Sequence, residues 1–389
     1  MSKYSLASNT WDNAEYEAIQ TVIDSNMFTM GEHVSLFEQN FAKYTNSNFC
    51  VMVNSGSSAN LLMIAALFYR KENNLKRGDE VIVPAVSWST TYYPLYQYGL
   101  KLKFVDIDVD TLNYNLEQLD SAITEKTKAI LTVNLLGNPN DFVEINKIIG
   151  MRNIILLEDN CESMGATYQN QPAGSFGLMG SFSTFFSHHI STMEGGMIVT
   201  NDEELYHILL SLRSHGWTRH LPKKNKVSGL KSDVQFEESF HFVLPGYNLR
   251  PIEMSGAIGV EQLKKLPDFI NQRRKNATKF TNIMKDYDYL ITQKEIGQSS
   301  WFGFSLVVSK NAHFNRDDLI LALEKYEIEY RPIVTGNFTK NEVVKWFDFS
   351  IHQQLNNADY IDKNGLFIGN HQHPIDCELD ALINALSSL

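Results

Sequence analysis

Short apolar runs alternate with longer amphipathic segments along the first half of the chain. The apolar runs predict strands, and they are Cys50–Val53, Glu80–Val83, Lys103–Asp106, Ala129–Val133 and Ile154–Leu157. Between the first two runs lies Ser58–Tyr69, where apolar residues recur at helical spacing. Apolar strands separated by helices indicate a mostly parallel sheet that is covered on both faces. Such sheets bind ligands at the carboxyl ends of their strands.

The alternation weakens after about Thr200. The pattern there predicts helices, one strand and a polar exposed loop: helix Asp202–Arg213, loop Pro222–Glu238, helix Met254–Leu266 continuing towards Lys285, strand Trp301–Val308 and helix Arg316–Lys325. We therefore expect an α/β class with two domains. A large domain covers residues 1–249, and a smaller C-terminal α+β domain covers 250–389.

Composition excludes several classes of protein. The net charge of −11 argues against nucleic acid as a main partner, since phosphate backbones bind basic surfaces. No apolar run is long enough to span a bilayer, and the N-terminal residues lack the pattern of a signal peptide. The three cysteines are far apart and form no CxxC pair, so neither a disulfide framework nor a structural zinc site is expected. This composition is typical of a cytoplasmic enzyme.

The segment Asn54–Asn60 follows a predicted strand and opens a helix. Gly56 would permit a tight turn, and the Ser57 hydroxyl with the first amides of the helix would face an anion favoured by the helix dipole. This predicts a phosphate cradle. A serine-rich N-cap without a ligand is an equally good interpretation.

Two more residues stand just past the ends of predicted strands. Asp159 could pair there with a protonated pyridine nitrogen and make the ring an electron sink, although a helix-capping aspartate is common at such a position. Trp88 could stack on a planar heteroaromatic ring, although a single tryptophan more often packs in a core.

Two adjacent histidines, His188 and His189, precede a glycine pair. Neighbouring residues of a strand face opposite sides, so these two are not expected to chelate one metal. Other histidines occur, but no spacing such as HExxH supports a metal site. We therefore predict no metal, and hydrogen-bonded structural histidines remain the plain alternative.

Taken in order along the chain, these signals resemble the nucleotide-sugar aminotransferase and dehydratase family of fold-type I pyridoxal phosphate (PLP) enzymes. The resemblance runs essentially end to end. Its motifs are Gly31 with Phe37-Glu38, Ser55-Gly56-Ser57, Glu158-Asp159, Ser181-Phe182-Ser183, Glu194-Gly195-Gly196, Arg213-Ser214-His215-Gly216 and Gly246-Tyr247-Asn248-Leu249-Arg250. It implies an aspartate aminotransferase-like large domain with a mostly parallel sheet, followed by the small domain.

The resemblance also implies roles for single residues. Those expected to bind the cofactor are Gly56, Ser57 and Ser183 at its phosphate, Trp88 on its ring, Asp159 at its nitrogen and Glu162 near the ring. Asn248 would reach the phosphate from a neighbouring subunit, so the active site would lie at the interface of at least a homodimer. The sugar nucleotide would meet His215, Arg219, Arg250 and Arg331, each of which could equally form a surface ion pair.

The sequence departs from the family's aminotransferases at the position of their cofactor-binding lysine. That position holds His188, and no lysine occurs between Lys147 and Lys223. An imidazole moves protons near neutral pH but cannot hold the cofactor covalently. A second departure is Glu162, where aminotransferases carry glutamine or histidine.

Within the family, histidine in place of lysine resembles the sugar 3-dehydratases, with His188 as the catalytic acid–base group. The resemblance implies PLP and pyridoxamine 5'-phosphate as noncovalent cofactors, L-glutamate as amino donor and a GDP-linked 4-keto-6-deoxy sugar as substrate. A CDP-sugar counterpart uses a [2Fe–2S] cluster and a reductase. Such a cluster takes four cysteine ligands, and three dispersed cysteines do not supply them.

Three other functions remain to be weighed. The nearest is an aminotransferase, against which the missing lysine argues. A cofactor-binding regulator without turnover is disfavoured because no DNA-binding segment is attached and the charge is acidic. A metal-dependent hydrolase would need the scattered histidines to converge.

Overall fold

A computed structural model describes residues 4–389. The strands are β1 (Phe49–Val53), β2 (Glu80–Pro84), β3 (Lys101–Val105), β4 (Thr127–Val133), β5 (Ile155–Asp159), β6 (Thr167–Tyr168), β7 (Gln171–Pro172), β8 (Met179–Ser183), β9 (Gly196–Thr200), β10 (Lys224–Asn225), β11 (Gly229–Leu230), β12 (Leu290–Ile291), β13 (Gly303–Val308), β14 (Tyr330–Arg331), β15 (Phe349–Ile351) and β16 (Gly365–Gly369).

The α-helices are α1 (Asn13–Ser25), α2 (Glu32–Tyr44), α3 (Gly56–Leu67), α4 (Ser89–Gln97), α5 (Leu116–Ala122), α6 (Phe142–Ile149), α7 (Glu203–Arg213), α8 (Gln235–Glu238), α9 (Glu253–Met284), α10 (Arg316–Lys325), α11 (Asn356–Asn364) and α12 (Asp376–Leu386). Short 3₁₀ helices cover Leu135–Gly137, Phe338–Lys340 and Glu342–Trp346. Within the described residues, none of these helices combines the length and apolar character needed to cross a bilayer.

An eight-stranded sheet forms the centre of the molecule, in the order β1-β9-β8-β5-β4-β2-β3-β15. Neighbouring strands are parallel from β8 to β15, and β9 runs antiparallel to both β1 and β8. The α/β prediction with a mostly parallel sheet is confirmed. Since β1 and the parallel strands point the same way, the residues following Val53, Pro84, Val133, Asp159 and Ser183 meet at one edge.

The five strands predicted first are all present, and their ends differ from the predicted ones by at most two residues. Helix α7 begins one residue after its predicted start because Asp202 caps it, accepting hydrogen bonds from two first-turn amides. The predicted loop over 222–238 is partly wrong, since it contains the β10–β11 hairpin and the short helix α8.

A smaller antiparallel sheet, β12-β13-β16-β14, packs with α10 and α12 around its own apolar core. The long helix α9 begins close to residue 250, where the sequence places the domain boundary. Two segments cross that boundary: β15 pairs with β3 in the large sheet, and Tyr4 bridges Ile328 on the small-domain side. The division into 1–249 and 250–389 therefore stays a prediction.

Candidate active site at the carboxyl edge of the large sheet

The turn after β1 and the end of β8 form a tight cradle. Ser55 caps α3, since its hydroxyl accepts a hydrogen bond from the Ser58 amide at 3.0 Å. A Cβ added to Gly56 would lie 2.6 Å from the Cβ of Ser183 and 3.1 Å from Cys161 Sγ. The expectation that Gly56 serves a tight turn is wrong, because its backbone is helical. Glycine is needed there for the close approach to Ser183.

The amino end of α3 also contacts the amino end of α4. The Ser57 hydroxyl lies 3.1 Å from the Thr90 hydroxyl, so two helix N-termini converge beside the cradle. Orphan amides and helix dipoles favour an anion at this position. The N-cap interpretation and the phosphate interpretation are therefore compatible, since the capping is done by Ser55 and leaves Ser57 facing outward.

Asp159 is the last residue of β5 and is held from two sides. Its Oδ2 accepts hydrogen bonds of 2.8 Å from the Asn60 amide and the Thr91 hydroxyl, and Oδ1 accepts one of 3.1 Å from the Cys161 amide. The side chain is 5% exposed. The carboxylate caps no helix here, and it is oriented for a buried cationic partner at the sheet edge.

Trp88 stands at the N-cap position of α4 without capping the helix through its side chain. Its indole is 57% exposed, so the alternative of core packing is excluded. An exposed tryptophan beside a polar cradle provides a flat apolar surface for a ring.

The two histidines lie in the loop between β8 and β9, not in a strand. His188 packs edge-on against Phe185 and Phe302, with ring centroids 5.8 and 5.3 Å away. Among residues 4–389 its Nδ1 is buried without a hydrogen-bond partner, and we infer that Nε2 is the nitrogen that would meet a ligand. Burial, assisted by the charge of Arg273, lowers the pKa of His188 to about 4. The imidazole is therefore neutral at physiological pH.

His189 occupies a different environment from its neighbour. It is fully buried, packs on Phe302 and approaches the Ser300 carbonyl oxygen at 3.4 Å. Burial also lowers its pKa. His189 is therefore part of the core, whereas His188 is only partly buried.

Glu162 lies shortly after Asp159, the last residue of β5, and its side chain binds a neighbouring loop. Its Oε2 accepts a 2.9 Å hydrogen bond from the amide of Leu136, a residue with φ of 52°. Desolvation raises the pKa of Glu162 to about 7, and the nearby Asp159 acts in the same direction. Glu162 can therefore exchange a proton at neutral pH, which fits a group beside a cofactor ring.

Three of the four predicted substrate residues converge on Trp217. The ring of His215 lies 4.9 Å from the indole, and the guanidinium carbons of Arg219 and Arg250 lie 5.2 and 6.0 Å from its centroid. This cationic and aromatic cluster suits an anionic heteroaromatic ligand. Arg331 lies apart from it on β14, where its Nη1 donates to the Tyr330 carbonyl oxygen at 2.9 Å.

Asn248 is exposed and has one partner for its side chain, since its Oδ1 accepts a 3.0 Å hydrogen bond from Arg250 Nε. The next residue, Leu249, accepts a 3.0 Å hydrogen bond from the Asn54 amide. Asn248 therefore lies on the surface next to the β1–α3 turn. A role across a subunit interface stays a prediction.

Sequence reasoning missed several residues that this geometry brings forward, namely Asn60, Thr91, Trp217, Arg273 and Phe302. A polar Asn60 inside the apolar α3 pattern could have indicated a buried hydrogen bond. Arg273 gave no such signal, since it is followed by Arg274 in a polar helical stretch. Among residues 4–389, no three histidine, cysteine or acidic side chains are grouped as metal ligands would be.

Comparison with known proteins agrees with this arrangement. The profile of the DegT/DnrJ/EryC1/StrS aminotransferase family matches residues 9–387. The chain is 66% identical to the GDP-4-keto-6-deoxy-D-mannose 3-dehydratase of Escherichia coli O55:H7, over 99% of this chain and 100% of that protein. It is 61% identical to the protein of the same name from Yersinia pseudotuberculosis, over 99% and 98% of the two chains.

A solved structure resembles the whole chain. The crystal structure of GDP-4-keto-6-deoxymannose-3-dehydratase with a trapped PLP-glutamate geminal diamine superimposes with a TM-score of 0.98 at 66% identity, covering 99% of this chain and 100% of that one. The expected aminotransferase-type fold is thereby confirmed.

Proposed function

Because the chain belongs to the DegT/DnrJ/EryC1/StrS aminotransferase family, we propose that it is a sugar 3-dehydratase dependent on PLP and pyridoxamine phosphate. It removes the C3 hydroxyl of GDP-4-keto-6-deoxy-D-mannose and uses L-glutamate as amino donor. The products are GDP-4-keto-3,6-dideoxy-D-mannose, ammonia and 2-oxoglutarate. The GDP-sugar substrate and PLP are also those of relatives that match the chain from end to end.

The observation that carries this proposal is the position of His188. The loop that would supply an aminotransferase lysine supplies a neutral imidazole with Nε2 open to the site. A lysine would retain the cofactor and displace the aminated sugar from it. A histidine leaves that release to water, which favours loss of ammonia over transfer of the amino group.

The described residues fit a PLP-type cofactor on structural grounds. Gly56 and Ser183 approach so closely that a Cβ at position 56 would overlap Ser183. This cradle lies beside two helix N-termini. Asp159 is an oriented carboxylate at the strand end, and Trp88 is exposed where a ring would stack. Gly56, Ser57 and Ser183 would hold the phosphate, and Glu162 would stand near the ring.

When bound, PLP supplies a carbonyl that takes up the amino group and a ring that accepts electrons from the bond being broken. His188 Nε2 accepts the α-proton of glutamate and returns a proton to the reacting carbon, because the imidazole is neutral and unpaired. Asp159 would pair with a protonated ring nitrogen, and Trp88 would stack on the ring. In the sugar half of the cycle, His188 again removes the proton whose loss accompanies departure of the C3 hydroxyl.

The proposal includes a homodimer with a shared active site and a cytoplasmic location. Several large apolar side chains are exposed, namely Met27, Phe28, Ile252, Phe185 and Phe186. Exposed apolar surface of this kind is typical of a protein–protein interface. A partner subunit that covers them would bring Asn248 to the neighbouring phosphate. The free cysteines suit a reducing compartment.

The test is an absorbance spectrum of the protein with PLP, taken before and after L-glutamate. The proposal expects conversion to pyridoxamine phosphate and no covalent trapping of the cofactor by borohydride. Ammonia release on adding GDP-4-keto-6-deoxymannose should follow, with CDP- and dTDP-linked 4-keto-6-deoxy sugars as controls. An aminated sugar product without ammonia would show an aminotransferase instead.

A further inference from the structure

Arg273 is a buried cation without a counter-ion. It lies on α9, its side chain is 4% exposed, and no carboxylate within residues 4–389 forms an ion pair with it. Burial lowers the pKa of Arg273 to about 10, so the group keeps its charge at neutral pH. A buried charge without a partner is unfavourable, and it is therefore a candidate for a functional role.

The guanidinium binds the backbone that supports the active-site loop. Its Nη1 donates to the carbonyl oxygens of Trp301 at 3.4 Å, Phe302 at 3.2 Å and Asn370 at 2.7 Å. The Asn370 amide adds hydrogen bonds to the Arg273 and Trp301 carbonyl oxygens. Trp301 has φ of 50°, a left-handed conformation that is rare for a bulky residue. Strained backbone of this kind persists only where neighbours hold it in place.

The anchored segment reaches His188 directly. The Phe302 ring packs on His188, and its backbone amide donates a 3.0 Å hydrogen bond to Leu136, the residue that binds Glu162. One arginine therefore supports both departures from the aminotransferase pattern, His188 and Glu162.

We propose that Arg273 is a positioning residue for the His188 base: its guanidinium, which has no ion-pair partner among residues 4–389, anchors the Trp301–Phe302 backbone against the imidazole. The inference rests on the proposed function, in which a neutral His188 takes up the substrate proton. Apolar burial by Phe185 and Phe302 has the larger effect on the pKa of His188, and the charge of Arg273 adds to it.

Other charges near this core act on different groups. Arg274, the next residue of α9, donates to the Ser299, Gln298 and Gly165 carbonyl oxygens. Burial lowers the pKa of His189, and the charges of Arg273 and, less strongly, Arg274 act in the same direction. His371 is also affected by Arg273, and burial with that charge lowers its pKa to about 3. Arg274 is thus a matched control, because it anchors the same segment without acting on His188.

The experiment compares Arg273→Gln, Arg273→Lys and Arg274→Gln with the unaltered protein. The pKa of His188 is measured by NMR of histidine-labelled protein without cofactor, and its signal is assigned by its loss in His188→Asn. This readout is independent of turnover. The rate of cofactor conversion by L-glutamate is measured separately across pH. Absence of conversion in the unaltered protein would contradict the proposed function, whereas the His188 pKa tests the effect of Arg273 on its own.

Loss of the charge in Arg273→Gln should raise the pKa of His188 by about one unit and move the acidic limb of the rate profile upward equally. Arg273→Lys, which keeps the charge, should leave the pKa low while slowing conversion through loss of anchoring. Arg274→Gln should leave the pKa of His188 unchanged. The proposal is overturned if Arg273→Gln leaves that pKa in place, or if Arg274→Gln raises it equally. If Arg273→Gln does not fold, a raised His188 pKa in folded Arg273→Lys overturns it.

Discussion

The side-chain amide of Asn60 donates a 2.8 Å hydrogen bond to the carboxylate of Asp159, joining the first turns of α3 to the end of β5. Asn60 is 2% exposed, and its own Oδ1 accepts a 2.5 Å hydrogen bond from the Ser181 hydroxyl. The amide orientation is therefore set by two partners. It presents its N–H group to Asp159 and holds the carboxylate in one orientation.

Thr91 completes this arrangement, and its removal is the first prediction. Thr91→Val keeps the shape but deletes the hydroxyl that donates to Asp159. A hydrogen bond to a charged group contributes about 1.5 kcal/mol or more, so we expect cofactor conversion by glutamate to slow roughly tenfold. Stopped-flow absorbance measures the rate.

Thr91→Ser is the matched control, because it retains a hydroxyl at the same position. It should restore most of the rate. Equal rates for Thr91→Val and the unaltered protein would contradict a role for this hydrogen bond in holding Asp159.

The second prediction concerns the cradle. Gly56→Ala places a methyl group 2.6 Å from the Ser183 Cβ, and such overpacking costs about 1–3 kcal/mol of the free energy of unfolding. Cofactor affinity should fall with it. Ser183→Gly in the same chain should recover part of the lost stability in a double-mutant cycle, measured by urea unfolding. If the effects of the two substitutions on the free energy of unfolding simply add, the two positions are not in steric conflict.

The third prediction separates the adjacent histidines. His188→Asn should abolish conversion of the cofactor by glutamate while leaving cofactor binding largely intact, because Nε2 of His188 is the open base. His189→Asn should lower the free energy of unfolding by about 1–3 kcal/mol, since this residue fills the core, yet retain conversion. Thermal unfolding and single-turnover absorbance distinguish the two. Unchanged turnover in His188→Asn would refute the assignment.

The fourth prediction tests whether Asn248 acts across subunits. His188→Asn and Asn248→Ala are each expected to be poorly active. If Asn248 serves the partner's site, refolding the two variants together restores one intact site per mixed dimer, roughly a quarter of the original activity at equal mixing. A role within its own subunit predicts no recovery on mixing.

The fifth prediction is a pH dependence. Burial and Arg273 lower the pKa of His188 to about 4, so the base stays unprotonated as pH falls through the usual histidine range. Glutamate-driven conversion should therefore show no histidine-type loss between about pH 7 and 5, and should fall only nearer the lowered pKa. An acidic limb centred near pH 6.5 would contradict this lowering.

Much of the large domain could be read from the sequence, because burial on both faces makes parallel strands continuously apolar. The same pattern predicted that Trp88, Asp159 and the Gly56 segment follow the ends of strands, and residues that follow parallel strands meet at one edge of the sheet. Strands of two or three residues, such as β14 and β15, were missed because such short runs show no periodicity. The five-residue strands β8, β9 and β16 were also not predicted.

The contacts that tune the site were not predictable in this way. Asn60 and Thr91 reach Asp159 from far along the chain, and the convergence of His215, Arg219 and Arg250 on Trp217 depends on a loop without periodicity. The reason given for Gly56 was wrong, because a pattern of residue types does not show which side chain packs over the turn.

By itself the sequence determined which groups are available at this site: a histidine where relatives carry lysine, and no lysine nearby to replace it. Residue identity decides this point, because a lysine amine can bind the cofactor covalently and an imidazole cannot. Only the tertiary structure decided the state of those groups. Burial, with the charge of Arg273, lowers the pKa of His188, and three hydrogen bonds orient Asp159, because solvation and charge depend on neighbours in space.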